Sequence, residues 1–274
     1  MSTTQAATGN ATSTSQQHKR PDAKVTTSSG SDYIDRHTAL LARVFATDPA
    51  ITYMLSDLTP AKRAAYLPRY MHTLLRASML NAGVFVEADD WSCGAVWMLP
   101  GKRVDNEFTI IQAGFLGLLW NLGLAGAKRM LVEFTGQDER IKKEFLVDVT
   151  SGERIKRFHY LWFVGTEEAA RGRGLASHLI RLRQAVAKED GLPIWLEATT
   201  AKSRDVYAKC GFETVGEINL GVGSHASTGL REKGGSGLVV YAMIWRPEWD
   251  GDRGEHVAAQ QMKQVDDGEV FAGR

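Results

Sequence analysis

The segment 171–176 (RGRGLA) most restricts how this chain can fold. An apolar, aromatic run at 158–164 precedes it and an amphipathic run at 175–186 follows it, which predicts a strand, a tight turn and a helix in succession. The start of such a helix offers unpaired backbone N–H groups and partial positive charge. The two glycines allow a phosphate to approach the backbone, and the two arginines add charged donors. The segment therefore predicts a pyrophosphate site, with a solvated basic turn as the alternative.

Two common phosphate-binding motifs are excluded by the residues around this turn. A nucleotide-hydrolysing P-loop needs Lys followed by Ser or Thr after its glycines, and the chain has Leu175 and Ala176 there. A dinucleotide-binding G-x-G-x-x-G turn needs Gly or Ala three residues after Gly174, and that residue is Ser177. The remaining candidates are the few other classes of protein that bind phosphorylated cofactors.

Composition is that of an ordinary soluble globular protein. Of the 274 residues, 43% are hydrophobic and 24% are charged, and 33 Lys and Arg against 32 Asp and Glu give a net charge of +1. Such a balance creates no global field for nucleic acid or a membrane surface. Cys93 and Cys210 are expected to be reduced and packed, and no Cys, His or carboxylate cluster has metal-ligand spacing. We expect a cytoplasmic protein without a metal, nucleic-acid or membrane partner.

The two ends of the chain differ in composition from its middle. Residues 1–32 are rich in Ser, Thr, Gln, Ala and Gly and lack the apolar stretch of a signal peptide, which predicts a disordered tail. A mitochondrial transit peptide is the alternative, although the basic cluster at 18–20 stands alone there. Residues 249–274 are charged and interrupted by glycines, which predicts a loose C-terminal tail. One domain at 33–248 is left, with a helical insert at 104–150.

The uncharged run at 108–127 is long enough to span a membrane. It contains Gln112, Asn121 and four glycines, which lower its hydrophobicity, and the sequence has no second run of this kind. We therefore favour a buried or pocket-lining helical hairpin over a membrane anchor. The pattern after this run, at 128–146, is typical of an amphipathic helix.

Periodicity predicts helices and strands along the rest of the domain. Helical spacing is found at 33–45, 61–80, 174–189 and 201–209, and strand patterns at 83–87, 92–99, 157–165, 192–198, 212–220 and 238–245. Asp48-Pro49 predicts the end of the first helix. This order predicts an α/β fold, a single domain in which a mixed central sheet is flanked by helices.

These residues resemble the GNAT superfamily of acetyl-CoA-dependent N-acetyltransferases. The family pattern Gln/Arg-x-x-Gly-x-Gly/Ala, between a strand and a helix, is met by Arg171, Gly174 and Ala176. The family also commonly has a tyrosine four residues before a Gly-Phe pair, and Tyr207 meets this. The runs FVGTEEAARGRGLASHL and LEATTAKSRDVYAKCGF are most similar to puromycin N-acetyltransferase-like small-molecule acetyltransferases. The resemblance covers roughly 33–246 and implies the fold predicted above.

The resemblance implies that acetyl-CoA binds along this strand and turn. Backbone groups of 164–166 would pair with the pantetheine arm like an added strand, and the amides of 172–176 would hold the pyrophosphate. Ser203 stands where many relatives have a cofactor-contacting Asn, and it reaches less far. Glu167 and Glu168 stand where relatives often have Asp-Pro, and both are expected to be solvated. The residues expected to bind acetyl-CoA are Val164, Gly165, Thr166, Arg171, Gly172, Arg173, Gly174, Leu175, Ala176 and Ser203.

Acetyl transfer needs a neutral amine and a proton for the leaving thiolate. The resemblance assigns the second task to Tyr207, because a phenol with a pKa of about 10 is protonated at neutral pH. Two residues are open as the general base: Glu197, at a strand end, and His159, on the strand before the turn. Alternation would put His159 on one face with residues 161, 163 and 165. A hydrogen-bonded structural histidine is the alternative for His159.

The resemblance implies acetylation of the amine of a small molecule: a xenobiotic, an antibiotic-like compound or a secondary metabolite. The insert and the N-terminal helices are expected to form the acceptor pocket, with Trp97, Phe115 and Trp120 as candidate walls. Such a pocket suits a hydrophobic or aromatic amine better than a polyamine, which needs several carboxylates. A peptide or protein N-acetyltransferase and a non-catalytic acetyl-CoA-binding module are the alternatives. The sequence leaves the oligomeric state open.

Overall fold

The computed structural model describes residues 23–28, 31–104, 106–148 and 151–247. The predicted C-terminal tail and the predicted N-terminal tail up to residue 22 lie outside this part. The prediction of a disordered tail as far as residue 32 is wrong for Val25–Ser28, which form a strand. This short polar strand is stabilised by antiparallel pairing with an apolar neighbouring strand, in which Ala88 lies opposite Val25.

Seven strands of the described residues form one mixed sheet. They are β1 Val25–Ser28, β2 Val84–Ala88, β3 Cys93–Met98, β4 His159–Thr166, β5 Ile194–Ala198, β6 Glu213–Leu220 and β7 Leu238–Trp245. Their order across the sheet is β1-β2-β3-β4-β5-β7-β6. The β4–β5 pair is parallel and the other neighbours are antiparallel. The predicted mixed sheet of an α/β fold is thereby confirmed.

Helices cover both faces of this sheet. They are α1 Ser31–Val44, α2 Pro49–Met54, α3 Pro60–Leu80, α4 Glu107–Ala113, α5 Phe115–Lys128, α6 Thr135–Phe145, α7 Leu175–Asp190 and α8 Ala201–Ala208, with a π-helical segment at Arg129–Phe134 between α5 and α6. Helices α1, α2 and α3 and the insert pack into one apolar core, and α7 packs into a second on the opposite face. Trp195 and Trp97 are fully buried in the first and second core respectively.

The insert is helical, as predicted, but it is not a simple buried hairpin. Gly114 and Gly123 have left-handed φ angles of 101° and 66°, which separate α4 from α5 and kink α5. Within the described residues, no helix is both long and apolar enough to cross a membrane. The inner face of α5 buries Leu118 and Leu122, whereas Trp120 is 89% exposed on the outer face. The prediction that Trp120 lines the pocket is therefore wrong.

Candidate active site

A wedge opens in the sheet between β4 and β5. The two strands are paired only at His159 with Ile194 and at Tyr160 with Trp195. Beyond these pairs no strand of the described residues adds to this edge of β4. Backbone donors and acceptors of the rest of β4 are thereby left facing the wedge. An extended ligand can pair with such an edge as an added strand does.

A bulge in β4 changes which side chains share a face. The register with β3 shifts between Val96 and Trp97, because β4 has one extra residue at this point. Leu161 packs in the core under α7, whereas Phe163 lies edge-on to Phe45, the residue after α1, with ring centroids 5.5 Å apart. The predicted alternation, which put His159 and Phe163 on one face, is therefore wrong beyond the bulge.

The end of β4 presents backbone groups rather than side chains to the wedge. Residues 164–166 pair with β3 on one side and face the wedge on the other. At Gly165, a Cβ atom would lie 2.9 Å from Val44 and 3.1 Å from Leu41, so glycine is required here by the close packing of α1. The Thr166 hydroxyl donates to Cys93 Sγ at 3.3 Å, and Val164 packs toward α7. The side chains of this segment are thus occupied, which leaves its backbone for a ligand.

The RGRGLA turn has the conformation that the sequence predicted. Gly172 and Gly174 have φ angles of 81° and 79°, in the left-handed region that glycine adopts without strain. Helix α7 begins at Leu175, and among the described residues no side chain caps its N-terminus. The unpaired N–H groups of this first turn therefore face the loop and the wedge beyond it, as an anion site requires.

The charged residues around the turn are partly engaged with each other. Arg171 is exposed and its Nε donates to the Thr166 carbonyl at 3.4 Å. Arg173 Nη1 lies 2.6 Å from Oδ2 of Asp89, in the β2–β3 turn. Of the two acidic residues expected to be solvated, Glu168 is exposed, whereas Glu167 forms an exposed ion pair with Arg43 at 2.5 Å. Arg171 is thus the more available of the two arginines for a ligand.

Ser203 is occupied within its own helix. It forms a reciprocal capping box with Thr200 at the start of α8: the Ser203 amide donates to the Thr200 hydroxyl at 3.0 Å, and the Thr200 amide donates to Ser203 Oγ at 3.2 Å. Oγ of Ser203 also donates to the Thr200 carbonyl at 2.9 Å. These bonds compete with any contact to a cofactor.

Tyr207 lies on α8 with part of its ring exposed and its ring 6.2 Å from that of Phe212. Burial of the hydroxyl raises the pKa of Tyr207, and the negative charge of Asp48 raises it further. Glu197 acts in the same direction. The Tyr207 hydroxyl therefore stays protonated over the whole neutral range. The charge of Glu197, one of the two predicted bases, acts on the predicted acid.

Glu197 is held in place by three neighbours in the α1-side core. Its carboxylate accepts hydrogen bonds from the Tyr160 hydroxyl at 2.7 Å and from Trp195 Nε1 at 2.6 Å. The Lys142 ammonium lies 3.6 Å from Oε1 of Glu197. As residue 197 follows the last β4–β5 pair, its side chain lies at the mouth of the wedge. The position fits a group that takes a proton there.

His159 occupies a different environment from Glu197. It is fully buried, its Nδ1 accepts from Arg183 Nε at 3.0 Å, and its Nε2 lies 3.1 Å from Oδ2 of Asp190. The Arg183 bond leaves the proton of the neutral ring on Nε2, which donates to Asp190. Burial lowers the pKa of His159. Both ring nitrogens are engaged under α7, so the alternative of a hydrogen-bonded structural histidine describes it, and its prediction as a base finds no support.

Two residues that the sequence did not single out complete the site. Asp138 and Lys142 lie four residues apart on α6, with Oδ2 and Nζ 2.5 Å apart, and both side chains are at least nine-tenths buried. Burial raises the pKa of Asp138 well above its usual range, and the charge of Glu197 adds to this. Burial alone would lower the pKa of Lys142, but the charge of Glu197 and the contact with Asp138 outweigh it and raise the pKa.

Asp48 is a further carboxyl near the end of β5, and it is partly buried. The sequence indicated it only as part of a helix break. Its Oδ1 accepts from the Ile51 amide at 3.0 Å as the N-cap of α2, and its Oδ2 accepts from the Thr199 hydroxyl at 2.5 Å. Burial raises the pKa of Asp48. Because both oxygens are bonded to the chain, Asp48 joins α2 to the end of β5 and is less available than Glu197 for proton transfer.

A cavity of about 460 Å³ opens beside this cluster. Its walls come from α3, from the insert and from β4, and they include the predicted Phe115. Trp97 is buried under α7 on the other face of the sheet and does not contribute. Aromatic and acidic side chains at the inner end are Phe134, Asp138, Phe158, Tyr160 and Trp162. The chain thus joins an apolar chamber to a carboxylate cluster at the wedge.

Comparison with known proteins agrees with this geometry. Residues 145–212 match the Acetyltransferase (GNAT) family. The chain is 27% identical over 194 residues to an uncharacterized N-acetyltransferase of Schizosaccharomyces pombe, covering 71% of this chain and 73% of the relative.

Solved structures share the fold at lower identity. A Corynebacterium glutamicum protein, described as a histone acetyltransferase and related acetyltransferase, has a TM-score of 0.52 at 19% identity, covering 84% of this chain and 99% of its own. Arylalkylamine N-acetyltransferase 2 of Aedes aegypti has a TM-score of 0.52 at 17% identity, covering 83% and 100%. Polyamine N-acetyltransferase of Drosophila melanogaster has a TM-score of 0.50 at 13% identity, covering 81% of this chain and 100% of its own. The matched segment, which contains the turn and most of the wedge, is thus a GNAT acetyltransferase domain, and the activity that this domain indicates is that of an acyltransferase.

Proposed function

We propose that the protein transfers the acetyl group of acetyl-CoA to the amine of a small, largely apolar molecule. Enzymes of this family use acetyl-CoA as the donor. The observation that carries the substrate class is the aromatic-walled cavity that reaches Asp138, which shares the Lys142 ammonium with Glu197. A xenobiotic, an antibiotic-like compound or a secondary metabolite with one amine has the required chemistry.

In the proposed binding mode, the donor lies along the wedge. The amides at the start of α7 and the side chain of Arg171 hold the pyrophosphate, because a helix N-terminus and a guanidinium both favour phosphate. The open backbone edge of 164–166 pairs with the pantetheine arm. This directs the thioester toward Glu197 on β5 and Tyr207 on α8, the two residues assigned to the chemistry. Ser203 is a minor contact at most, because its hydroxyl is engaged with Thr200.

The proposed reaction is direct attack of the amine on the thioester. Glu197 takes a proton from the ammonium form of the acceptor, which frees the nitrogen lone pair. The new bond joins this nitrogen to the acetyl carbon, and the carbon–sulfur bond breaks. Tyr207 donates a hydrogen bond to the sulfur as negative charge develops on it. The second proton of the nitrogen passes to the leaving thiolate as the amide forms, so that the free thiol of CoA is the second product.

The cavity wall favours one class of amine over another. The fold is shared by arylalkylamine and polyamine N-acetyltransferases, so the fold alone does not choose between them. The outer wall of the cavity is basic, with Lys102, Arg103, Arg154 and Lys156. These cations repel the distal charges of a polyamine, whereas the aromatic inner wall accommodates an apolar body.

A thiol-release assay with acetyl-CoA tests the proposal. The panel contains 2-phenylethylamine, a puromycin-like aminonucleoside, spermidine and a short peptide with a free N-terminus. We expect kcat/KM for the first two to exceed that for spermidine by about tenfold or more, because of the repulsion at the basic wall. Fastest turnover of spermidine or of the peptide would contradict the substrate class. Uptake of acetyl-CoA without turnover of any amine would indicate a binding module instead.

The role of the turn in donor binding can be tested at Gly174. Replacement of Gly174 by Val forces a β-branched residue into the left-handed region, at a cost of about 1–2 kcal/mol. We expect the turn to shift and the affinity for CoA to fall by about tenfold, measured by calorimetry.

Gly191→Val is a matched control for this variant. Gly191 caps the other end of the same helix with a φ angle of 65°, and a Cβ there meets no atom within 4 Å. The strain is comparable, but the site is remote from the turn. Equal loss of CoA affinity in both variants would mean that the turn does not hold the pyrophosphate.

A further inference from the structure

The inner end of the cavity already contains an ammonium group, that of Lys142. Its Nζ lies 2.5 Å from Oδ2 of Asp138 and 3.6 Å from Oε1 of Glu197. It also lies 4.8 Å from the ring centre of Tyr160 and 5.7 Å from that of Trp195. Carboxylates and aromatic faces are the groups that stabilise a cation removed from water. The chain itself thus shows what kind of ligand this environment accepts.

The charge in this cluster balances only if one carboxyl is neutral. The side chains of Asp138 and Glu197 are only 6% and 7% exposed, and both carboxyls approach the same Lys142 ammonium, which brings them close to each other. Two carboxylates at such a distance do not both ionise readily beside a single cation. Oδ1 of Asp138 is buried and has no hydrogen-bond partner among the described residues. A proton on Asp138 lets this carboxyl donate to Glu197, which explains the close approach of the two acids.

An added cation would change this balance. Lys142 and Glu197 neutralise each other while Asp138 holds its proton. When a second ammonium enters the cavity, Asp138 can release the proton and become its counter-ion, so that the net charge of the cluster stays at zero. Asp138 lines the cavity, whereas Glu197 faces the wedge where the thioester is expected. An ammonium held between them is therefore at the point where it must be deprotonated.

We propose that Asp138 and Glu197 form the binding site for the ammonium group of the acceptor, with Lys142 as the resident counter-ion of Glu197, and that acceptor binding releases the proton of Asp138. The ligand is a primary amine with one positive charge and an apolar body that fits the aromatic chamber. This rests on the proposed function, since it specifies how the acceptor is held. Glu197 remains the group that receives the proton of the amine.

The other charges around Asp138 do not supply this counter-ion. Glu139, on the same helix, is partly exposed and forms an ion pair with Arg154, with Oε2 and Nη2 4.0 Å apart. Tyr160 of β4 is neutral and donates to Glu197. The remaining ionisable groups on the cavity wall are cations that face its outer part, namely Lys102, Arg103, Arg154 and Lys156.

Proton release on binding is measured by calorimetry of the full-length protein. We use 2-phenylethylamine as the probe, because it is fully protonated at about pH 6.5. The titration is repeated in two buffers of different ionisation enthalpy. We expect release of about one proton per amine bound, and an affinity that rises by close to tenfold per pH unit while Asp138 holds its proton. Binding without proton release, or no binding of this probe, would overturn the proposal.

Variants separate this role from a structural one. Asp138→Asn keeps the shape and removes the titrating proton, so we expect proton release and the pH dependence of affinity to disappear. Glu144→Gln, an exposed position on the same helix, should retain both. The wild-type buffer comparison keeps the test decisive if the Asn variant does not fold. Unchanged proton release in folded Asp138→Asn protein would overturn the proposal.

The two proposals fail in different ways. Turnover of acetyl-CoA with an amine, combined with binding that releases no proton, would remove the ammonium site and leave the proposed function intact. Amine binding with proton release, combined with no turnover of acetyl-CoA, would remove the proposed function and leave the site.

Discussion

Replacing Tyr207 by Phe should lower kcat by about 10²–10³-fold and leave the affinity for CoA nearly unchanged. The variant keeps the ring, which packs beside Phe212, and removes only the hydroxyl. The lost interaction exists mainly when charge develops on sulfur, so its removal affects the transition state more than the bound substrates. Thiol release under saturating acetyl-CoA measures kcat, and calorimetry measures the affinity for CoA.

The raised pKa of Tyr207 determines how the hydroxyl acts. Burial and the charge of Asp48 place its pKa above the ordinary value of about 10 for a phenol, and a thiol has a pKa of about 8.5. Complete transfer of the proton to a thiolate is therefore uphill, and the hydroxyl stabilises the thiolate as a hydrogen-bond donor. For the same reason kcat should not decline through ionisation of Tyr207 below about pH 10.

Tyr241→Phe is the matched control for this prediction. Tyr241 lies on β7 in the same apolar core, where Arg204 stacks on its ring. Loss of its hydroxyl should change kcat by less than about twofold. A Tyr207→Phe variant that keeps more than half of the wild-type kcat would exclude the hydroxyl from the chemistry.

Most of the helices and strands could be predicted because the spacing of their apolar residues along the sequence puts these residues on the one face that is buried. On α7 the buried positions include Leu175, Leu179 and Val186, which lie along one face. Two elements had no such signal. Strand β1 is short and polar and exists through pairing with β2, and α2 begins at Pro49, where the sequence predicts a helix break. Asp48 with Pro49 is equally a helix start, and only the packing of the residues after Pro49 decides between the two.

The candidate site was predictable where it depends on backbone conformation and not where it depends on packing. The glycines at 172 and 174 mark a left-handed turn that few other residues allow, so the turn could be located from the sequence. The bulge in β4 has no glycine to mark it. Asp138 and Lys142, four residues apart on a helix, have the spacing of an ordinary solvated pair. Only the packing of α6 against the sheet buries them, and this is a tertiary property.

Replacing His159 by Leu should lower the free energy of unfolding by about 3 kcal/mol and leave kcat within about twofold of wild type. Leucine fills most of the volume, but Arg183 loses the acceptor for its Nε and Asp190 loses a donor. A buried guanidinium without this acceptor is the main cost. Chemical denaturation measures the stability, and thiol release at a temperature where the variant is folded measures kcat.

The pH dependence of the stability lost in the His159→Leu variant shows whether the loss comes from a buried neutral histidine. Burial lowers the pKa of His159, and the hydrogen bond to Asp190 offsets this only in part. The unfolded chain, with a pKa of about 6.5, therefore binds the proton more readily than the folded protein. The stability that the neutral ring provides is complete above about pH 6.5 and is lost as the pH falls below that value. The difference in the free energy of unfolding between wild type and His159→Leu should accordingly narrow as the pH falls from about 7.5 to about 5.

His72→Leu is the control for this prediction. It lies on the half-exposed face of α3, and the substitution should lower the free energy of unfolding by less than about 0.5 kcal/mol at neutral pH. A large fall in kcat with unchanged stability would instead return His159 to the chemistry, against the geometry of its two hydrogen bonds.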